Sequence, residues 1–203
     1  YGIDFGHGTA NATMTGSNNN ISITQTSGAA NSAAINGIRA SYTSGTKTFD
    51  TDTLTVTQSN SAAATSSLVI GINAGTNAGT TVNATNSIIT FKQSVSGAGT
   101  MTGAMTYIDV SAASATVNVT GNTFNTTGSN ILSIGTLKGV NQDATVTALV
   151  NVKGNIANIS RTAASGAAYF MYTSTTPSEV ADTVSNNNIT FTNLAGTTSV
   201  TAL

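Results

Sequence analysis

Asn18-Asn19-Asn20-Ile21-Ser22-Ile23-Thr24-Gln25 returns near the far end of the chain as Ser185-Asn186-Asn187-Asn188-Ile189-Thr190-Phe191-Thr192. Variants of this stem lie between them: Thr53-Leu54-Thr55-Val56-Thr57-Gln58, Ile88-Ile89-Thr90-Phe91-Lys92-Gln93, Gly121-Asn122-Thr123-Phe124 and Gly154-Asn155-Ile156-Ala157. The first apolar slot of each stem falls at 21, 54, 89, 123, 156 and 189, so every step is 33 to 35 residues. A self-similar step of that size marks a solenoid or an array.

The apolar residues of the stem alternate with Ser, Thr or Lys, as in Ile21/Ile23, Leu54/Val56, Ile89/Phe91 and Ile189/Phe191. A period of two is that of a half-buried strand, and helical repeats would need apolar spacings of three and four. A second apolar patch follows each of several stems: Ala34–Ile38, Leu68–Ile72, Met105–Val110 and Tyr169–Tyr172. A third precedes the next stem: Lys47–Phe49, Thr81–Asn83, Thr116–Val119 and Ala148–Val152. Three short strands per repeat, joined by Gly, Asn and Ser turns, predict an all-β chain. The expected fold is a parallel β-helix (β-solenoid) of about six coils, in one domain over residues 1–203. Asn20, Asn122, Asn155 and Asn188 stand just before the first apolar slot, with Asn19, Asp52, Gly121, Gly154 and Asn187 one place earlier. Such residues accept the left-handed backbone of a sharp corner, and stacked asparagines can hydrogen-bond along the axis.

The Asn-Asn-x-Ile-x-Ile/Phe stem, the coil length and the Ser/Thr/Asn-rich turns resemble right-handed parallel β-helix repeat proteins secreted to bacterial surfaces. Long adhesins and filament-forming surface proteins are common in that group, so the resemblance implies a fold and a surface role but no catalytic residue. The fourth and fifth stems depart from the pattern. Asn125 and Asn158 stand where the second apolar residue belongs, and Phe124 and Ile159 point to a register slip or bulge there.

Composition narrows the functions. Charged residues are only 6% of the chain and the formal net charge is −1. Six Lys and Arg scattered over 203 residues cannot build the basic stripe that displaces counterions from nucleic acid. There is no Cys, hence no disulfide framework and no thiolate metal site. No apolar run approaches the roughly 20 residues of a membrane span. A surface of hydroxyls and amides suits an extended object at the cell surface or outside the cell.

Catalytic constellations are sparse. Asp50 and Asp52 are the only close carboxylate pair, and glycoside hydrolysis requires two carboxyls across the scissile bond. Both flank a stem corner, where Asp is a natural turn former. Arg39 and Arg161 are the candidate bases for a lyase, with nothing in the sequence pairing them. Glu179 and Asp182 flank Pro177 as surface charges. His7 lacks the partners of a zinc site or a serine triad. Asn11, Asn20, Asn83, Asn118, Asn125, Asn158 and Asn188 begin Asn-x-Ser/Thr triplets, a number expected by chance in so Ser/Thr-rich a chain. The runs Thr46-Lys47-Thr48 and Thr51–Thr57 are similar to the hydroxyl-lined faces of ice-binding solenoids. Here that pattern fails to recur in the same slot of each coil, the regularity that a lattice-matching face needs.

The sequence therefore predicts a structural or adhesive extracellular β-solenoid, with no catalytic residue, no cofactor and no metal. Its expected partners are copies of itself or neighbouring repeats, joined end to end, and surface glycans. It reads either as a piece of a longer solenoid or as a subunit that stacks. The alternative is a carbohydrate-binding or polysaccharide-cleaving β-helix, with Tyr107, Tyr169, Tyr172 or Asp50 and Asp52 along a groove, since aromatic rings stack on sugars.

Overall fold

A computed structural model describes residues 1–5, 13–27, 31–40, 45–60, 65–75, 80–96, 100–110, 114–126, 131–142, 149–162, 165–173, 182–193 and 200–201. Strands follow one another in sets of three. The first sets are β1 (Ile3–Asp4), β2 (Met14–Ser17) and β3 (Asn20–Ser27), then β4 (Ile35–Arg39), β5 (Thr46–Asp50) and β6 (Thr53–Asn60). Next come β7 (Val69–Asn73), β8 (Thr80–Thr85) and β9 (Ile88–Val95), then β10 (Met105–Asp109), β11 (Ser114–Thr120) and β12 (Thr123–Asn125). The chain continues through β13 (Leu137–Gln142), β14 (Leu149–Lys153) and β15 (Ile156–Arg161). It closes with β16 (Ala168–Thr173), β17 (Asp182–Ser185), β18 (Asn188–Asn193) and β19 (Val200–Thr201).

Each strand pairs in parallel with the strand three places on. This produces sheet A (β1-β4-β7-β10-β13-β16-β19), sheet B (β2-β5-β8-β11-β14-β17) and sheet C (β3-β6-β9-β12-β15-β18). The fold is thus the all-β parallel solenoid with three strands per coil that the repeat predicts. The count of about six coils is corrected to about four full turns of about 33 residues. The first and last layers are end layers: Ile21 and Ile23 on one side, Val184, Ile189 and Phe191 on the other, are only partly buried against the core.

The register of sheet C corrects two of the six stems. Ile21, Leu54 and Ile89 stack in one inward row, and the row continues through Phe124, Ala157 and Ile189. Positions 123 and 156 therefore face outwards, and Ile156 lies 41% exposed beside Ile88 at 43%. Residues 123–125 pair with 156–158 without a shift, one residue out of the expected frame because Thr-Phe and Ile-Ala fit the alternation in either phase; beyond them the register slips, since Ile131 pairs with Arg161. Sheet B also carries an irregularity, between Ser114 and Thr116. Strand β13 is an addition to the sequence reading: Lys138 and Gly139 dilute its apolar pattern.

Left-handed corners between sheets B and C fall at Asn18, Thr51, Asn86, Gly121, Gly154 and Asn186, with φ between 53° and 68°. Gly121 and Gly154 occupy the expected corner positions. At Asn18, Thr51 and Asn186 the turn comes one residue before the predicted Asn19, Asp52 and Asn187, and Asn86 is a corner that the stem reading does not name. Asn19, Asp52, Ser87, Asn122, Asn155 and Asn187 then follow the corner.

Sheet A is bent. Its register pairs Ile35 with Val69 and Ile38 with Ile72, but skips Gly37 and Gly71. Residues on both sides of the bend thus reach the core. A side chain at Gly71 would put Cβ 2.6 Å from the Tyr107 carbonyl oxygen and 2.7 Å from Ile89 Cγ2. In later coils the skipped place holds Tyr107 and Phe170, which join Phe91 and Phe124 in one inner aromatic column. Tyr107 lies 4.2 Å from Phe91 and 5.0 Å from Phe124, and Phe124 lies 6.2 Å from Phe170.

Candidate functional site

Polar chemistry in this molecule is laid out in rows rather than gathered at a point. The first row is buried at the corner between sheets B and C. Asn19 donates its backbone N–H and Nδ2 to Asp52 Oδ1 at 2.9 and 2.8 Å. Asp52 N donates to Ser87 Oγ, and Ser87 N to Asn122 Oδ1. Asn122 and Asn155 each donate both groups to the next asparagine, ending on Asn187. Nδ2 of Asn122, Asn155 and Asn187 also donates to the carbonyls of Ala84, Val119 and Val152. Each of those carbonyls lies one coil back. Buried amides satisfied in this way hold the coils in register.

Asp52 breaks the pattern. It is fully buried, its Oδ1 accepts as an asparagine oxygen would, and its Oδ2 has no hydrogen-bond partner among the described residues. Burial drives its carboxyl pKa upwards, against the hydrogen bonds from Asn19, and the nearby charge of Asp50 adds to the rise. Asp50 lies on the outer surface of sheet B and behaves oppositely. Hydrogen bonds from Thr85, Asn86 and Thr51 hold its pKa below the usual value. The two carboxyls thus point to opposite sides of the wall, one in solvent and one in the core. They do not form a pair facing a common substrate.

Two cations are also buried, with no carboxylate partner among the described residues. Lys47 Nζ donates to the carbonyls of Ala40 at 2.7 Å and Ala74 at 2.5 Å, and burial lowers its pKa to about 8. Arg161, which pairs with Ile131 at the end of β15, is 2% exposed. Its guanidinium donates to the carbonyls of Ser133, Gly135, Ser165, Gly166 and Ala167. Arg161 is therefore a bracket for the sheet C-to-A corner, far from the role of a lyase base. For Lys47 the sign of the pH effect follows from its lowered pKa. Between pH 8 and 9 the unfolded chain holds more protons at this site, so stability rises by about 1 kcal/mol. Urea melts of the wild type should show that rise, and Lys47→Met should lose it.

The outer face of sheet A gathers the remaining reactive groups. Arg39 hydrogen-bonds to the Tyr1 hydroxyl and stands 4.9 Å over its ring. Asn141 donates to Asp109 Oδ1 and accepts from Lys138, whose ammonium sits 3.7 Å over the Tyr172 ring. Tyr169 meets Tyr172 edge to face at 5.1 Å. Tyr169 and Tyr172 are thus on the surface together, while Tyr107 is sealed in the core with its hydroxyl on the Asn125 carbonyl. Asp50 lies on another sheet.

His7, Pro177, Glu179 and Asn11 lie outside the described residues, as does the side chain of Asp182. Among the described residues no cluster of His, Cys, Asp or Glu could hold a metal ion, and no helix is long and apolar enough to cross a membrane. No protein-family model, no curated protein and no solved structure matches this chain.

Proposed function

We propose that the chain is a structural or adhesive β-solenoid of an extracellular surface, a segment of a fibre or a subunit that associates end to end. The observation that supports this reading is the continuity of the polar rows. The corner ladder links all six layers of sheets B and C without a gap, from Asn19 to Asn187. Chemistry is spent on holding one coil to the next, and the carboxylate pair that would suit hydrolysis is split between solvent and core. The partly buried Ile21 and Ile23 at one end, and Ile189 and Phe191 at the other, offer apolar surface that further coils or another copy would cover. A second reading, glycan binding, is favoured by the Tyr169–Tyr172 pair and Lys138 on sheet A.

Negative-stain electron microscopy of the purified chain, with sedimentation over a range of concentrations, tests the first reading. Rods that lengthen with concentration and resist protease are the expected result. Discrete particles of one length at every concentration would overturn end-to-end association. A glycan array on the same preparation tests the second: binding that Tyr172→Ala removes supports it, and a blank array sinks it.

A further inference from the structure

The outer face of sheet B carries an array that reading along the chain hides. The register stacks Thr46, Thr81 and Thr116 in one outward row. It stacks Thr15, Thr48, Asn83, Asn118, Asn151 and Thr183 in the next. Thr85 and Thr120 lie in a third, between Asp50 and Lys153. Thr-x-Thr itself does not return in the same slot; the aligned outward slots read Thr-x-Asn-x-Thr in β8 (Thr81, Asn83, Thr85) and β11 (Thr116, Asn118, Thr120), while in β14 Asn151 stands between Leu149 and Lys153.

The array is stiff. Asn118 Nδ2 donates to Asn83 Oδ1 at 2.8 Å and Asn151 Nδ2 to Asn118 Oδ1 at 2.9 Å, which fixes each amide's rotamer. Threonine is branched at Cβ and has few χ1 choices on a strand. Layers repeat at about 4.8 Å along the axis, and outward rows at about 6.6 Å, twice the rise per residue. These groups are partly exposed, so solvent reaches them.

A face that repeats by translation in two directions is complementary to a ligand that does the same. A single folded partner would not use the repeat. Between Asp50 and Lys153 the rows hold no charged side chain, which disfavours polyelectrolytes and lipid headgroups, and no aromatic ring on which a sugar would stack. The other two faces are broken: Ile88, Lys92 and Ile156 interrupt sheet C, and Arg39, Asp109 and Lys138 interrupt sheet A. What remains is a periodic solid of neutral hydrogen-bonding groups. We propose that the outer face of sheet B binds ice, holding a water layer in the fixed array of threonine hydroxyls and asparagine amides. This is independent of end-to-end association, since the rows lie on the side of the solenoid.

The test is ice recrystallisation inhibition and thermal hysteresis by the full chain. The wild type is expected to suppress crystal growth. Asn118→Tyr, which raises a bulky ring in the middle of the array, should lose most of that effect. Thr55→Tyr, at an equivalent outward position on sheet C, should keep it. Circular dichroism melts confirm that each variant is folded. Failure of the folded wild type to slow recrystallisation would overturn the proposal, as would equal activity of Asn118→Tyr. Retention on powdered cellulose or chitin with no effect on ice would assign the same array to a crystalline polysaccharide and also overturn it.

Discussion

Phe124→Ala should cost about 3–5 kcal/mol, the usual loss for emptying a buried phenylalanine site. Phe124 is the inward residue of β12, the shortest strand of sheet C, and it is fully buried. Its ring touches Tyr107 on one side and Phe170 on the other, so its removal parts the aromatic column in the middle of the solenoid. The cavity cannot collapse easily, because the Asn122 hydrogen bonds fix the backbone two residues before it. In a thermal melt the midpoint should fall by roughly 10 °C. Phe191→Ala, in the partly buried last layer, should cost clearly less. Equal losses at the two positions would mean that the core has no stiff centre.

Asp52→Asn should stabilise the protein at neutral pH by about 1–3 kcal/mol, the penalty of a buried polar atom left without its partner. The ladder shows what the partner is. Where asparagine stands, Nδ2 donates to the carbonyls of Ala84, Val119 and Val152. By register the matching carbonyl for Asp52 belongs to Gly16, because Gly16 pairs with Phe49 and Phe49 with Ala84. An ionised Asp52 offers that carbonyl an oxygen without a proton; a protonated one, or an asparagine, offers a donor. The folded-state pKa is raised, so the contribution of Asp52 is complete below the ordinary carboxyl value of about 3.9 and is lost as pH rises through the folded pKa. Asp50 is the charged neighbour and its carboxylate strengthens the trend. The advantage of Asp52→Asn over wild type should therefore be largest at pH 7 and vanish near pH 3. A difference that stays constant across that range would show that protonation has no part in it.

The solenoid was legible because its signal repeats. Ile21/Ile23, Leu54/Val56 and Ile89/Phe91 each state the same alternation, and errors in one stem are outvoted by the rest. The register at 123 and 156 was not legible, since a stem such as Asn155-Ile156-Ala157-Asn158 reads equally well in two phases. Only the corner settles it: Gly121 and Gly154 are left-handed, which sets Asn122 and Asn155 on the ladder and Phe124 and Ala157 in the core. The inward direction of Lys47 and Arg161 was hidden for a different reason. Charged residues are read as surface by default, and what neutralises these two is backbone carbonyl, which carries no sequence signature. The threonine–asparagine face was hidden by the varying lengths of the turns, which blur the slot until strands are aligned.

The rows also have a sense of direction. The corner chain donates its backbone N–H groups towards later coils, from Asn19 on to Asn187, while Nδ2 of Asn122, Asn155 and Asn187 also donates one coil back. The others run the opposite way: Asn151 to Asn118 to Asn83, Gln93 to Gln58 to Gln25, Asn73 to Asn36 and Asn141 to Asp109. Aligned amide dipoles would add with length, as peptide dipoles do along a helix. Here opposed files offset one another, so added coils build up little axial field. In so weakly charged a solenoid, neither end of the stack then becomes a trap for ions.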